Sequence, residues 1–383
     1  MANTSSASNV WQFYSNLSDK IPDSDSERAV DPALQTFLAA VSWVSVYYTM
    51  FLIVVGCVCN PLSILVFSRP AFRDTTTSVY LRLLSVMDLA AILCGLTRHF
   101  QRSALDFDVR HGVVSCKINL WLVLIFVYSS CWTLVAVTAE RVISIMWPHR
   151  VKAWCSKVTA VLIGALIILA SAAVNSPVFP LYGHLEVFNP DTNDTMTRTC
   201  VVTQDREYTL KLWFWADAIN FAFVPCTLLI IFNFFIIRGV IKSRQRVQKV
   251  SVKRKKVSTI NTSTTSAETT SSKDDESTVG PQSKTGANKA MSKRETSITI
   301  TLLAINITFI VCNFPVCAYQ VGPHYQSKQG IGPHGDGIAT LLLILMFTNN
   351  ALNFLLYCIT GSRFRREVKL VIKELVTCAW FRR

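Results

Sequence analysis

Charged and strongly polar side chains lie inside segments that are otherwise apolar, and their chemistry requires an explanation. Arg141 follows Glu140 near the end of one apolar segment, and Asp88 lies within another. An ionisable group in hydrocarbon costs free energy and needs a partner, so it indicates binding, ion movement or conformational switching. Cys116 precedes Arg141 by 25 residues, roughly 37 Å of helix, close to the thickness of a bilayer with its headgroups. One helix would therefore carry a thiol at one end and a guanidinium at the other.

Catalytic motifs are not evident in the sequence. There is no recognisable phosphate-binding loop, metal-ligand cluster or nucleophile with a general base, and the 6 histidines lie mostly in loops. We therefore predict that the chain is not an enzyme and that it carries no catalytic metal or organic cofactor.

Seven long apolar segments are the elements that must position these residues. Of the 383 residues, 51% are hydrophobic and only 16% are charged, which is typical of membrane proteins. A segment of about 20 apolar residues can cross a bilayer as a helix, which satisfies its own backbone hydrogen bonds. We predict an all-α membrane protein, a seven-transmembrane helix bundle within residues 41–361. The predicted spans are 41–67, 79–97, 118–139, 158–180, 212–237, 298–321 and 338–358.

Basic residues are concentrated in alternate loops and in the tail. The net charge of +14 would suit a nucleic-acid partner, but the basic residues lie near Arg69, near Arg150 and from Arg238 to Arg294. By the positive-inside rule these segments are cytoplasmic, so we predict no nucleic acid. The chain would be a multi-pass plasma-membrane protein with a cytoplasmic C-terminus and an extracellular N-terminal tail, residues 1–40, translocated by an uncleaved first span. Candidate glycosylation sites are the sequons at Asn3, Asn16 and Asn193.

Two of the 12 cysteines stand apart from the others. Cys116 opens the third span and Cys200 lies in the loop before the fifth, both on the predicted extracellular, oxidising side. We therefore expect a disulfide between them. Cys378 lies in the basic cytoplasmic tail, where it is a candidate for palmitoylation.

Two cytoplasmic segments have an informative composition. Residues 243–292 are first basic and then rich in Ser and Thr. This predicts a disordered third cytoplasmic loop, either a solvated linker or a phosphorylation region. Residues 362–383 begin with basic residues and continue with apolar residues at helical spacing. They are predicted to form a short amphipathic eighth helix that contacts membrane lipids along the inner leaflet.

The order and spacing of these motifs resemble the rhodopsin-like (class A) G-protein-coupled receptors from Val41 to Val371. The matching residues are Asn60, Asp88, Cys116, Glu140-Arg141-Val142, Pro225, Phe309-x-x-Cys312-x-x-Pro315 and Asn353-x-x-x-Tyr357. The residues around Arg141, together with Trp147-Pro148-His149, look most similar to invertebrate FMRFamide-type neuropeptide receptors. The resemblance implies a receptor that activates heterotrimeric G proteins, with arrestin and a receptor kinase as further partners.

The resemblance also assigns roles to buried polar residues. Asp88 would lie near the middle of the bilayer, where a carboxylate needs polar neighbours, a cation or a proton. In the family, the positions matched by Ser130, Asn349 and Asn353 complete a sodium site with this carboxylate, so sodium is the expected allosteric ligand. The alternative is a water-filled polar network without specific sodium binding.

Arg141 is expected to belong to the switch that couples to the G protein. Glu295 lies 20 residues before Pro315, about 30 Å along the sixth helix and at its cytoplasmic end. By resemblance, Arg141 and Glu295 form a latch that opens when the sixth helix moves outward. The alternatives are a solvated charge at the rim or a pair with the adjacent Glu140. The other expected switch residues are Phe309, Pro315, Asn353 and Tyr357.

Several family positions carry unusual residues. Asn313 stands where the family usually has a tryptophan, and Phe354 replaces the proline of N-P-x-x-Y. Val142 replaces the tyrosine of D-R-Y, and Asn233 lies where the fifth span usually has a tyrosine. We expect the topology to be unaffected and the activation switch to be packed differently.

The loop around Cys200 suggests the class of ligand. His184 to Phe188 and Thr195 to Thr203 flank a run of turn residues, which predicts a β-hairpin. By resemblance, such a hairpin is typical of peptide receptors and holds the entrance open.

Val123 lies where an amine receptor would carry a carboxylate, which argues against a small amine, although an acid elsewhere could substitute. Candidate ligand contacts are Arg98, Gln101, Trp121, Trp213, Asp217, Asn220, Tyr319, Gln320 and His324.

Alternatives remain for these contacts and for the function. Arg98 either binds a peptide carboxylate or carbonyl, or it pairs with Asp106 or Asp108 in the next loop. The aromatic candidates could instead anchor helices among the headgroups. The leading function is a neuropeptide receptor. The alternatives are a receptor of the same fold for a lipid or other small apolar ligand and, in another class, an ion channel or transporter, which the absence of an internal repeat disfavours.

Overall fold

In the part of the chain that the structure describes, seven helices are long and apolar enough to cross a membrane. The structure is a computed structural model that describes residues 31–105, 107–189, 194–202, 207–242, 245, 282–322 and 332–381. This confirms the predicted all-α, seven-transmembrane class. The spans are α1 Pro32–Ser68, α2 Thr76–Leu105, α3 Val113–Met146, α4 Lys157–Leu181, α5 Trp215–Lys242, α6 Thr299–Gln320 and α7 His334–Thr360. The helices of α5, α6 and α7 begin earlier, at Glu207, Gln282 and Gly332, and α8 is Ser362–Phe381.

Side-chain caps determine where several helices begin. The Asp31 carboxylate accepts a hydrogen bond from the Ala33 amide at 3.0 Å, and Pro32 occupies the first turn of α1. An acidic N-cap followed by proline is a strong start signal, so α1 begins before the predicted residue 41. Thr75 caps α2 and Ser156 caps α4 in the same way.

The start of α6 differs from the prediction for the third cytoplasmic loop. Residues 243–292 were predicted to be disordered, but the helix begins at Gln282. The end of the predicted loop contains Lys, Ala, Gln and Met, which are good helix formers. Because adding a residue to an existing helix is far easier than nucleating one, the apolar span extends into this polar segment. The remainder of the loop lies outside the described residues, apart from residue 245.

Three spans contain a π-helical turn that the sequence analysis did not anticipate. The turns are Val44–Tyr48 in α1, Ile92–Leu96 in α2 and Ile219–Phe223 in α5. A π turn inserts an extra residue and rotates the flanking parts of the helix by about 100° relative to each other. In α2 and α5, the side chains between the π turn and the end of the helix that carries the disulfide therefore point in directions that cannot be derived from a regular period of 3.6 residues.

The third helix lies at the centre of the bundle and the fourth at its edge. In the most apolar window of α3, 67% of the residues are buried, compared with 22% in α4. Leu120 and Leu134 of α3 are fully enclosed, whereas Leu162 and Leu166 of α4 are 64% and 65% exposed. Polar residues that connect helices are therefore expected mainly on α3.

A disulfide-anchored hairpin covers one end of the bundle. Strands β1, Tyr182–Asn189, and β2, Asp194–Val202, pair antiparallel, and the Cys116–Cys200 disulfide joins β2 to the first turn of α3. The predicted hairpin and disulfide are confirmed. Cys200 has a φ of 58°, which is unusual for a residue other than glycine. The disulfide packs in a small apolar cluster, here called the disulfide cluster, formed by Cys116, Leu120, Val178, Leu181, Tyr182 and Cys200.

The last helix is fastened to the opposite end of α1 and α7. Phe364 of α8 packs against Phe67 and Tyr357, with ring centroids 5.2 Å apart in both pairs. Arg69, which follows α1, pairs with Glu367 at 3.0 Å and with Glu374 at 2.8 Å. The hydrogen bond from Arg69 lowers the pKa of Glu374. The eighth helix is therefore held by both apolar and ionic contacts.

The contact of α2 with α7 provides a test of this packing. A Cβ atom on Gly95 would lie 2.6 Å from the Phe347 ring and 3.2 Å from a Val123 methyl. We expect Gly95→Ala to lower the free energy of unfolding by about 1–3 kcal/mol, because overpacking outweighs the helix propensity gained. The measurement is thermal unfolding of the purified protein in detergent. Gly112→Ala is the control, since its Cβ would approach only Ser115, and equal melting temperatures for the two variants would contradict the packing described.

Candidate functional site

A buried polar network surrounds Asp88 in the middle of α2. The carboxylate, fully enclosed, accepts hydrogen bonds at Oδ1 from Ser130 Oγ at 2.5 Å and from Asn350 Nδ2 at 2.9 Å. Asn353 Nδ2 donates to Oδ2 at 2.7 Å. Three neutral donors from α3 and α7 therefore solvate the carboxylate in place of water and tie these helices to α2.

The structure adds to this network a residue that was not predicted. Asn350 reaches Asp88, whereas Asn349 does not donate to it, because neighbouring residues of a helix differ in direction by about 100°. The sodium site with Asn349 stays a prediction. The backbone oxygen of Asn350 also accepts from Asn60 Nδ2 at 3.1 Å, which adds α1 to the network. The Oδ1 atoms of Asn349 and Asn353 are buried and have no hydrogen-bond partner among the described residues. Such oxygens fit a hard cation, which prefers oxygen ligands.

At the other end of α3, Arg141 lies beside its neighbour Glu140. The distance from Arg141 Nη2 to Glu140 Oε1 is 3.7 Å, and the Arg141 side chain is 13% exposed. Glu140 accepts hydrogen bonds from Thr76 Oγ1 at 2.5 Å and Thr77 Oγ1 at 3.0 Å, which attaches α3 to the start of α2. The side chain of Glu295 lies outside the described residues, so its latch with Arg141 stays a prediction.

A second polar connection, here called the Asn306 bridge, joins three helices between Asp88 and Arg141 in depth. Thr138 Oγ1 of α3 donates to Asn306 Oδ1 of α6 at 3.2 Å. Asn306 Nδ2 in turn donates to Asn233 Oδ1 of α5 at 2.7 Å. All three side chains are buried. The bridge was not predicted, although an amide between two isoleucines in an apolar span is a sequence signal for such a contact.

Asn313, the unusual residue of α6, bonds within its own helix, and two expected switch residues lie in the core. Asn313 Nδ2 donates to the backbone oxygen of Phe309 at 2.9 Å, within the turn that precedes Pro315. A proline inside a helix removes one backbone hydrogen bond, and the Asn313 amide adds one beside it. Phe309 is buried, and Tyr357 is enclosed edge-on against Phe67 with ring centroids 5.1 Å apart. The predicted switch residues on α6 and α7 thus lie in the core of the bundle.

Several predicted ligand contacts hold helices together at the end that carries the disulfide. Trp121 Nε1 donates to the backbone oxygen of Ala172 in α4 at 3.0 Å. The Tyr319 hydroxyl donates to the backbone oxygen of Gly335 in α7 at 3.0 Å. Asn220 donates to a backbone oxygen of its own helix at 2.9 Å. Gln101 and Gln320 are half-buried. His324 lies outside the described residues.

Two other predicted contacts, Trp213 and Asp217, lie one turn apart on α5. Trp213 is half-buried and packs against the disulfide cluster. The Asp217 carboxylate accepts a short hydrogen bond from the hydroxyl of Tyr128 in α3. Tyr128 was not predicted, because a tyrosine in a span is more often part of the apolar core.

Arg98 belongs to a buried ion cluster rather than to an open surface. Its Nε donates to Asp108 Oδ1 at 2.7 Å, and its Nη2 makes a short bond to Oδ2. Arg102 Nη1 donates to Oδ2 at 3.1 Å, and the Arg110 amide donates to Oδ1 at 2.9 Å. Arg98 and Asp108 are 3% and 7% exposed. Of the two alternatives for Arg98, the structure supports the pair with the next loop; Asp106 lies outside the described residues.

The cluster determines the ionisation of Asp108. Burial acts to raise the pKa of this carboxyl, but the hydrogen bond and charge of Arg98, the Arg110 amide and the charge of Arg102 outweigh burial and lower the pKa below its usual value. A carboxyl with a lowered pKa stabilises the folded state above its unfolded-state pKa. That stabilisation is lost as the pH falls through the folded-state value.

We therefore expect Asp108→Asn to reduce stability by about 3 kcal/mol at neutral pH, because it removes a buried carboxylate that two guanidiniums contact. The difference between variant and parent should shrink as the pH falls below about 4. Thermal unfolding of the purified protein across this pH range measures both effects. Asp74→Asn is the matched control: Asp74 also pairs with a base, Lys157, but it is exposed, so its loss should leave the melting temperature unchanged. A pH-independent difference for Asp108→Asn would contradict this account.

Comparison with known proteins identifies one matching family and several similar receptors. A sequence model of the family described as "7 transmembrane receptor (rhodopsin family)" matches residues 59–357. The growth hormone secretagogue receptor type 1 of Homo sapiens is 30% identical over 213 residues, 54% of this chain and 56% of that receptor. The rabbit (Oryctolagus cuniculus) receptor of the same name is 29% identical over 210 residues, 54% of this chain and 56% of its own. Neuromedin-U receptor 2 of Mus musculus is 28% identical over 162 residues, 42% of this chain and 41% of that receptor.

These matches refine the resemblance seen in the sequence. The chain spans about half the length of the curated relatives it matches. The relatives are mammalian receptors and do not specify an FMRFamide-type receptor. The family consists of receptors, so the prediction that the chain is not an enzyme is confirmed. Because the family model covers most of the chain and the seven spans and the disulfide lie where the family pattern requires them, the protein belongs to the rhodopsin family of seven-transmembrane receptors.

Proposed function

We propose that this chain is a plasma-membrane receptor that binds an extracellular peptide and activates heterotrimeric G proteins. The observation that carries the proposal is the placement of Arg141 beside a buried Glu140 at the end of α3, in a chain of this family. Of the three relatives described above, two are named for growth hormone secretagogues and one for neuromedin U. The sequence around Arg141 further favours an FMRFamide-type neuropeptide, and arrestin, a receptor kinase and inner-leaflet lipids are proposed as additional partners.

The hairpin supports a peptide over a small apolar ligand. The Cys116–Cys200 disulfide fixes β2 against the first turn of α3, so the hairpin is held at one end of the bundle. An extended ligand needs an open entrance together with aromatic anchors and a few placed charges. Trp213 and Asp217, half-buried below the hairpin, supply both kinds of side chain.

The proposed orientation places the disulfide outside the cell. Disulfides persist in oxidising compartments, and basic loops stay in the cytoplasm. In this orientation α8 and Arg141 face the cytoplasm, where a G protein would bind. The N-terminus would be extracellular.

The proposed mechanism is a population shift in which ligand binding favours outward movement of α6. Such a movement must separate Asn306 from Thr138 of α3 and from Asn233 of α5. Each hydrogen bond contributes a net of about 0.5–1.5 kcal/mol, so the Asn306 bridge would bias the equilibrium toward the inactive state by about 1–3 kcal/mol. Sodium at Asp88 is proposed to favour the same state by holding α2, α3 and α7 together.

The test of the proposed function is a screen of amidated and free-acid neuropeptides on cells that carry this chain and a promiscuous G protein. A peptide that activates the parent receptor should fail on Arg141→Ala, because the guanidinium would be part of the G-protein contact. Arg150→Ala is the control: it removes the same charge from the next loop, where Arg150 lies over Trp154 at 5.3 Å. Equal cell-surface levels must be shown by an N-terminal epitope. Full signalling by Arg141→Ala would refute the assigned coupling role.

A second prediction concerns the Asn306 bridge and the basal activity of the receptor. Asn306→Ala should raise ligand-independent nucleotide exchange by roughly tenfold, because about 1.4 kcal/mol of bias toward the inactive state is lost. Thr308→Ala is the matched control, since among the described residues its hydroxyl bonds only to the backbone oxygen of Ala304 in the same helix. The readout is GTPγS binding in membranes with purified G protein. An unchanged basal rate for Asn306→Ala, or an equal rise for Thr308→Ala, would remove the bridge from the mechanism.

A further inference from the structure

The carboxylate of Asp217 lies in the half of the bundle that carries the disulfide. Asp217 of α5 accepts a hydrogen bond from the Tyr128 hydroxyl of α3. The same hydroxyl lies 3.3 Å from the Asp217 backbone oxygen. Among the described side chains, no Lys, Arg or His forms an ion pair with this carboxylate. An acid inside a membrane bundle is costly, and its presence indicates a function with a partner to be named.

Aromatic side chains lie on the elements around this carboxylate. The Tyr128 ring, whose hydroxyl bonds to Asp217, stacks on Phe221 of α5, with ring centroids 5.3 Å apart and an interplanar angle of 26°. Trp213 lies one turn before Asp217 and packs against the disulfide cluster, which includes Tyr182 at the start of β1. Burial and then the Asp217 carboxylate raise the pKa of Tyr182, while Arg110 acts in the opposite direction. Tyr128 thus contacts the carboxylate, and Phe221, Trp213 and Tyr182 extend an aromatic region from it toward the disulfide.

A carboxylate bordered by aromatic rings is the arrangement that binds organic cations. An ammonium or guanidinium gains from the negative charge and from the faces of the rings, and both attractions increase where water is excluded. Tyr128 occupies one oxygen and holds the side chain toward α3. The hydrogen bond alone does not require an acid, because an asparagine oxygen can also accept it. The charge is therefore the feature that calls for a partner.

We propose that Asp217 and the surrounding rings of Tyr128, Tyr182, Trp213 and Phe221 form a subsite for a protonated amine or guanidinium of the ligand. For a peptide this is a lysine or arginine side chain or a free N-terminus. The inference rests on the proposed receptor function and names the chemical class of ligand for it. The subsite would supply an acid for such a cation, whereas Val123 leaves the outer half of α3 without one.

Two variants separate this role from a structural link between α3 and α5. Asp217→Asn keeps an oxygen that can accept from Tyr128 and removes only the charge. Tyr128→Phe removes the hydrogen bond and keeps the charge. A link that serves only stability would be more sensitive to Tyr128→Phe, whereas a cation subsite depends on the charge at Asp217.

The experiment measures the electrostatic potential at the subsite with charged thiol reagents. Leu124, one turn outward of Tyr128 on α3, is half-buried and packs against both the disulfide cluster and the main core. The purified Leu124→Cys receptor is treated with 2-(trimethylammonium)ethyl methanethiosulfonate and, separately, with 2-sulfonatoethyl methanethiosulfonate. In each reaction the thiolate attacks the reagent sulfur, a mixed disulfide forms and methanesulfinate leaves. Rates are obtained by mass spectrometry as the labelling above that of the parent receptor, which corrects for the native thiols.

We expect the ratio of cationic to anionic rate constants to exceed that of a small free thiol by roughly tenfold or more. Adding Asp217→Asn should reduce the ratio to near that of the free thiol, whereas adding Tyr128→Phe should leave most of the preference. Equal rates for the two reagents in the Leu124→Cys receptor, or a ratio that Asp217→Asn does not change, would overturn the proposal. Absence of labelling by the cationic reagent would overturn it as well, because the subsite must be reachable from the entrance.

This measurement needs neither an agonist nor a G protein, so its failure is distinguishable from failure of the proposed function. An agonist identified in the peptide screen gives an independent check. Replacing its arginine by citrulline should lower its potency at the parent receptor by roughly a hundredfold and have little effect at Asp217→Asn. A cation-free agonist that is equally potent at the parent receptor and at Asp217→Asn would also overturn the assignment.

Discussion

Every ionisable group inside the bundle needs a partner in the protein or in a bound ligand, because hydrocarbon offers none. Asp88 meets this requirement with donors from α3 and α7, and Glu140 of α3 meets it with two threonines of α2. Asp217 accepts a hydrogen bond from Tyr128 of α3, and its charge is proposed to bind a cation of the ligand. Each of these contacts involves a residue of α3, the most buried span. The third helix is therefore the element through which the polar contacts of both ends are connected.

Two of the departures from the family pattern place an amide inside a membrane span. Amides occupy positions where the family usually has aromatic residues, at Asn233 and Asn313. Asn233 joins the Asn306 bridge, whereas Asn313 bonds to its own helix beside Pro315. A neutral hydrogen bond is weaker than an ion pair but more directional, so the bridge depends on the exact separation of α5 and α6. It would supply a switch contact that is insensitive to pH and salt.

The sequence predicted the elements whose formation depends on composition or on the chemistry of particular residue types. Seven spans, the hairpin and the Cys116–Cys200 disulfide could be predicted because lipid, turn residues and an oxidising compartment each leave a clear pattern. The π turns at Ile92–Leu96 and Ile219–Phe223 could not, because they depend on packing between helices. For the same reason the contact of Asn350 with Asp88 was not predicted. The Arg98–Asp108 pair was one of two open alternatives, since a loop carboxylate and a ligand carboxylate are chemically equivalent.

The attachment of α8 has a consequence for α7. Phe364 and the pairs of Arg69 with Glu367 and Glu374 join α8 to the ends of α1 and α7. Apolar side chains of α8 such as Ile372 and Leu375 are 46% and 51% exposed. Because the Phe364 ring packs directly on Tyr357, a displacement of α8 would reach Tyr357 first among the predicted switch residues.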